Sequence, residues 1–129
     1  MTFSHTLSFH DDSPTPPAVL TLSVARAVGL PQRMRGLLFH PAPPEGCGLL
    51  IEHCGSVHTL GMRYAIDVVF LDRERRVTRV CANVAPGRFC VFGGWRAASV
   101  VEVRAGWFPL HCLRAGMRGS LSLPGGGSL

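Results

Sequence analysis

The stretch Tyr64-Ala65-Ile66-Asp67-Val68-Val69-Phe70-Leu71 is apolar at odd and even positions alike, apart from one acid. Successive side chains of a strand point to opposite faces. A strand of this composition is therefore expected to be covered on both sides. Asp67 falls on the face of Val69 and Leu71. A carboxylate beside a core strand must be paired, hydrogen-bonded or protonated. As a structural acid, Asp67 would tie down the turn over residues 62–65 or pair with Arg33 or Arg63. As a functional one it would bind a ligand or act as a general base.

The other elements are shorter. Leu20, Leu22 and Val24 alternate with Thr21, Ser23 and Ala25, the pattern of a half-buried strand. Leu30, Met34, Leu37 and Leu38 fall on one helical face, with Pro31 in the first turn and Pro41 stopping the helix at His40. Residues 49–52, 77–84, 99–103 and 121–123 read as strands, and residues 72–76 as a charged hairpin tip. One helical turn is expected over residues 109–115, ended by Gly116. Many short strands with little helix predict an all-β fold, a compact β-sandwich or barrel-like single domain with one or two short helices. The domain is expected over residues 18–123. A flexible Pro-rich lead (1–17) precedes it, and a Gly-rich tail (124–129) follows.

Composition narrows the function classes. No apolar run approaches the ~20 residues of a membrane span, and residues 1–17 lack the pattern of a signal peptide. With five cysteines and no C-x-x-C pair, free thiols in a reducing cytoplasmic compartment are expected. The net charge of +5 suggests nucleic acid. However, all thirteen basic residues are arginine, and only Arg73, Arg75, Arg76 and Arg79 cluster, interleaved with Asp72 and Glu74. A solvated hairpin tip explains them better than a phosphate-binding patch.

Chemistry-bearing side chains concentrate just before the apolar strand. His58 can serve as a base or a ligand contact. Cys54 and His58 invite a metal or nucleophile reading. Along an extended strand, however, their Cα atoms would stand about 13 Å apart, and no further ligands follow at zinc-site spacing. Neither a metal nor a cofactor is expected. Ser56 near His58 lacks a nucleophile elbow. Arg33 can hold an anion, or pair with Asp67 or Glu102. Glu102 interrupts a valine strand and faces the same choice between pairing and binding. Phe89, Phe92, Trp95, Trp107 and Phe108 are expected mostly in the core.

Three segments together resemble the family catalogued as domain of unknown function 192, also called uncharacterised protein family 0127. Arg33, Gly36, Leu37 and Leu38 match an Arg-x-x-Gly-Leu-Met-like signature. Val57-His58-Thr59 through Met62 and on to Ile66-Asp67-Val68-Val69-Phe70-Leu71-Asp72 form the most specific block. Val100-Val101-Glu102-Val103-Arg104-Ala105-Gly106 resembles a Val-Leu-Glu-Leu-Pro-Ala-Gly segment. The resemblance covers roughly residues 19–123. Leu38 departs from the usual Met, and Met117 follows Gly116 where the family commonly has Gly-Asp. The resemblance implies a mainly β domain and no particular activity.

The sequence reading is thus a domain that binds a small molecule or a protein partner. Its polar site is expected near His58, Met62, Arg63 and Asp67, with Arg33 in support and Gly36 and Glu102 as structural residues. A hydrolase using His58 with Asp67 as its orienter is the alternative, and a basic nucleic-acid-binding surface a second.

Overall fold

The computed structural model describes residues 1–11 and 20–124. Nine strands and one short helix follow in chain order: β1 (His5–His10), β2 (Leu20–Ala27), α1 (Leu30–Arg35), β3 (Cys47–Glu52), β4 (Ser56–Val57), β5 (Ile66–Leu71), β6 (Val77–Val84), β7 (Val91–Phe92), β8 (Ser99–Arg104) and β9 (Arg118–Ser122). A 3-10 turn covers Leu110–Cys112. Seven strands form one mixed sheet in the order β6-β5-β8-β3-β2-β1-β9, in which only β2 and β3 run parallel. The small ribbon of β4 and β7 stands apart.

The sheet curls until its two edges meet. Val77 N–H donates to the Met117 carbonyl at 2.8 Å, Gly116 N–H to Val77 at 2.7 Å, and Gly119 N–H to Arg75 at 2.8 Å. Arg76 and Arg118 pair across the seam. Closure satisfies edge groups that would otherwise be open to another chain, and gives the barrel-like fold.

Two apolar layers follow from strand alternation. Leu7, Phe9, Leu22, Val24, Leu50, Val69, Leu71, Val101 and Val103 fill the interior, plugged by Phe108, Leu113 and Met117. Leu49, Ile51, Ile66, Val68, Phe70 and Val100 point outward and are covered by Leu37 and by Val57 and Val91 of the ribbon. Every residue of β5 is buried, as the two-sided apolar pattern predicted. The ribbon sits so close that a Cβ on Gly93 would lie 2.2 Å from the Phe70 ring.

The structure departs from the sequence reading in several places. The start of ordered structure was expected near Ala18, yet β1 lies inside the earlier segment, between β2 and β9. Leu7 and Phe9 are fully buried there. The Pro-rich stretch 13–17 and the tail beyond Pro124 lie outside the described residues. Helix α1 ends at Arg35, not at His40. Gly36 takes φ 56° and ψ −131°, a conformation that breaks the helix and suits glycine. Leu30 and Met34 consequently stay exposed, while Leu37 turns inward. Phe89, Phe92 and Trp95, expected in the core, are exposed, whereas Phe108 is buried.

Of the hairpin-tip arginines, Arg73 and Arg79 are exposed while Arg75 and Arg76 are partly buried. Arg75 forms a two-pronged ion pair with Glu52 at 2.9 and 3.0 Å, and Arg26 meets the same carboxylate at 2.7 Å. Arg76 donates to the Gly116 carbonyl at 2.7 Å, and Arg79 to that of Phe92.

Candidate functional site

A cavity of about 390 Å³ lies on the outer face of the sheet, between α1 and residues 53–58. It sits within the ~300–1,000 Å³ range of small-molecule pockets. Its walls are Leu30, Arg33 and Met34 from α1, Gly36 and Leu37 from the turn after it, Ile51 from β3, Cys54 to His58, and Met62. Glu102 of β8 forms its floor.

The backbone explains why these groups converge. On β8, Val101 and Val103 face the barrel interior, so Glu102 must face outward. The outer face there is covered by the turn that Gly36 makes. A Cβ on Gly36 would stand 2.9 Å from Glu102 Oε1. Glycine therefore serves twice, ending the helix and letting the backbone pass over the carboxyl. Thr59, fully buried, anchors the other wall. Its hydroxyl donates to the Ala85 carbonyl at 2.7 Å and accepts from Arg88 N–H at 2.8 Å. Tyr64 donates to the His40 carbonyl at 3.2 Å, tying down the loop after α1.

Glu102 is 3% exposed, and its Oε1 has no hydrogen-bond partner. It forms no ion pair among the described residues. Burial pushes its carboxyl up to about 7, and the Leu37 backbone N–H offsets only part of that. Two more buried, unpartnered polar atoms belong to the same cavity, Arg33 Nε and His58 Nδ1. One terminal nitrogen of Arg33 donates to the His53 carbonyl at 3.3 Å. Cys54 Sγ donates to the Ser56 carbonyl at 3.0 Å, and burial raises its thiol, so it is a poor nucleophile.

Of the residues singled out by sequence, Arg33, His58, Met62, Gly36 and Glu102 line this one cavity. Arg63 is exposed and lines a neighbouring cavity of about 420 Å³, which shares Leu37 and Met62 with the first. Asp67 has a different task. Between the pairs Ile66–Val84 and Val68–Cys81, the single residue Asp67 opposes both Ala82 and Asn83, which is a β-bulge. Asp67 Oδ1 accepts from Asn83 N–H at 2.7 Å, and Asn83 holds φ 51°. The carboxylate thus satisfies the donor that the bulge frees from the ladder. It pairs with neither Arg33 nor Arg63, and His58 Nδ1 has no partner. The structure therefore contains no oriented His58–Asp67 couple.

Cys54 and His58 do border the same cavity, because only Ser56 and Val57 between them are extended. Among the described residues no group of three or more His, Cys, Asp or Glu side chains is placed to hold a metal ion. A wider trough of about 600 Å³ runs past Asp72, Arg73, Glu74, Trp95 and Arg96. None of the buried unpartnered atoms belongs to it, so nothing there asks for a ligand. Sequence reasoning missed Leu30, Met34 and Cys54 as wall residues, and Thr59 as the anchor. Their shared wall depends on where α1 stops, and no local pattern reported that.

No helix among the described residues is long and apolar enough to cross a membrane. No curated protein matches the chain. A protein of unknown function from Novosphingobium aromaticivorans shares the fold with a TM-score of 0.73 at 15% identity, over 88% of this chain and 82% of that one. A protein from Sinorhizobium meliloti named as a "putative transcription regulator" gives 0.73 at 18% identity, over 92% of this chain and 95% of that one. At such identities the likeness is one of fold. The model of a sequence family matches residues 13–121, nearly the whole domain, and the chain belongs to that family, domain of unknown function 192, described as "Uncharacterized ACR".

Proposed function

We propose that this protein is a small-molecule-binding β-domain of the cytoplasm whose ligand sits over Glu102. One observation carries the reading. Glu102, Arg33 and His58 each keep a buried polar atom without a partner, and all three line one cavity. Buried polar groups in folded proteins are nearly always hydrogen-bonded, and each one left unmade costs about 1–3 kcal/mol. Three such atoms around one cavity are accounted for by a bound molecule that satisfies them. The apolar walls from Leu30, Met34 and Met62 fit the remainder of an organic ligand. Arg63 and the neighbouring cavity beyond Met62 would accept a longer one.

A thermal-shift and native mass-spectrometry screen of small polar organics tests this. Hits are expected on the wild type and on Asp67→Asn, which leaves the cavity intact, and are expected to weaken on Glu102→Gln. The proposal fails if no compound binds, or if hits are indifferent to Glu102→Gln.

A further inference from the structure

We propose that the cavity over Glu102 takes a small zwitterion with an apolar body, an α-amino acid or a close analogue. Its ammonium would meet Glu102, and its carboxylate Arg33 and His58. The assignment rests on reading this cavity as a ligand site.

An acid and a base share the cavity without pairing with each other. Glu102 and Arg33 both line it, yet no ion pair joins them. Each retains a buried atom with nothing bonded to it. Cys54 lines the same cavity as both; its thiol, raised chiefly by burial, is raised further by Glu102 and lowered by Arg33. Elsewhere in this protein a half-buried acid is fully engaged, as Glu52 is by Arg26 and Arg75. Separation inside the cavity is therefore a property of this place.

Charge selects among ligand classes. A simple anion would suit Arg33 but would be repelled by Glu102. A simple cation would suit Glu102 but not Arg33. A neutral alcohol could satisfy hydrogen bonds while forgoing both charges, and charge-assisted hydrogen bonds are about twice as strong as neutral ones. A molecule bearing one charge of each sign matches both partners. His58 Nδ1, protonated or as the N–H tautomer, adds a donor for the carboxylate. Met34, Met62 and Leu30 offer unbranched or flexible apolar contacts that adapt to a side chain of variable shape.

Titration calorimetry with leucine, methionine and phenylalanine as free amino acids tests the class, each compared with its N-acetyl and its carboxamide derivative. At least one free amino acid should bind the wild type. Acetylation, which removes the ammonium, should weaken it about tenfold or more. That discrimination should vanish in Glu102→Gln, while discrimination against the carboxamide should vanish in Arg33→Gln. Both variants should keep the wild-type far-ultraviolet circular dichroism. Equal binding of free and acetylated forms would overturn the assignment. The same protein is also titrated with a set of neutral fragments, followed by amide shifts at Met34, Met62 and Glu102. Shifts from neutral fragments with none from amino acids would refute the zwitterion and keep the ligand site. Silence from both sets would refute both.

Discussion

Replacing Glu102 by Gln should stabilise this protein above neutral pH and change it far less near pH 5. The carboxyl is buried beneath Gly36 and Leu37, and burial raises its pKa from the ordinary 4.5 to about 7. Between those values the native state holds a proton that the unfolded chain has released. Stability rises with pH only where the unfolded state binds more protons. Here the native state binds more, so the contribution of Glu102 falls as pH rises from about 4.5 to about 7. At 1.36 kcal/mol per pH unit, the ionised carboxylate costs on the order of 3 kcal/mol above pH 7. Gln keeps the shape and stays neutral. Glu102→Gln should therefore gain on the order of 3 kcal/mol at pH 8, roughly 10 °C in Tm for a domain of this size, and only about 1 kcal/mol at pH 5.

Urea unfolding of both proteins at pH 5, 6, 7 and 8 measures this directly. His40 has its pKa lowered by burial and by Arg35, which makes stability rise with pH in an overlapping range. It is present in both proteins and cancels in their difference. A wild-type-to-variant difference that stays flat from pH 5 to 8 would refute the reasoning, as would a variant less stable than wild type at pH 8. Either result would mean that Glu102 has a partner in solution that the fold does not supply.

Three further outcomes follow from the same geometry. Burial alone would raise Glu52, but hydrogen bonds from Arg75 and Arg26 hold it down to about 2. Its stabilisation is present above about pH 4.5 and is lost as pH falls toward about 2. Acid titration followed by circular dichroism should show this, with a shallower acid slope in Glu52→Gln. Asp67→Ala should cost about 1–3 kcal/mol by orphaning the Asn83 N–H, while Asp67→Asn, which keeps an acceptor oxygen, should cost less. Chemical denaturation ranks the two. Gly36→Ala should destabilise by about 1–3 kcal/mol from its backbone conformation alone, with added crowding against Glu102 Oε1 at 2.9 Å. A thermal melt at pH 6 detects the loss.

The contrast between Asp67 and Glu102 shows how far local pattern reaches. Both interrupt apolar strands, and both read as acids that must be paired, protonated or bound to something. Asp67 stands in the most specific block of the sequence, which made it the stronger site candidate. The structure gives it a backbone partner across a bulge, and leaves Oε1 of Glu102 without one. A bulge depends on how two strands register. Neither strand reports it alone, so the roles of the two acids were not legible before the fold was seen.

By itself the sequence determined six of the nine strands (β2, β3, β5, β6, β8 and β9), the two-sided burial of residues 66–71, the family and a set of polar residues. Those properties depend on alternation and side-chain chemistry within a few neighbouring residues. Tertiary structure decided that β1 completes the sheet and that the sheet closes through Val77, Met117 and Gly119. It also decided that Arg33, His58, Met62 and Glu102 share a cavity while Asp67 does not. Residues far apart in the chain make these arrangements. Gly36 controls the central one, because its backbone conformation ends α1 and passes the chain over Glu102, and a Cβ there would collide with the carboxyl.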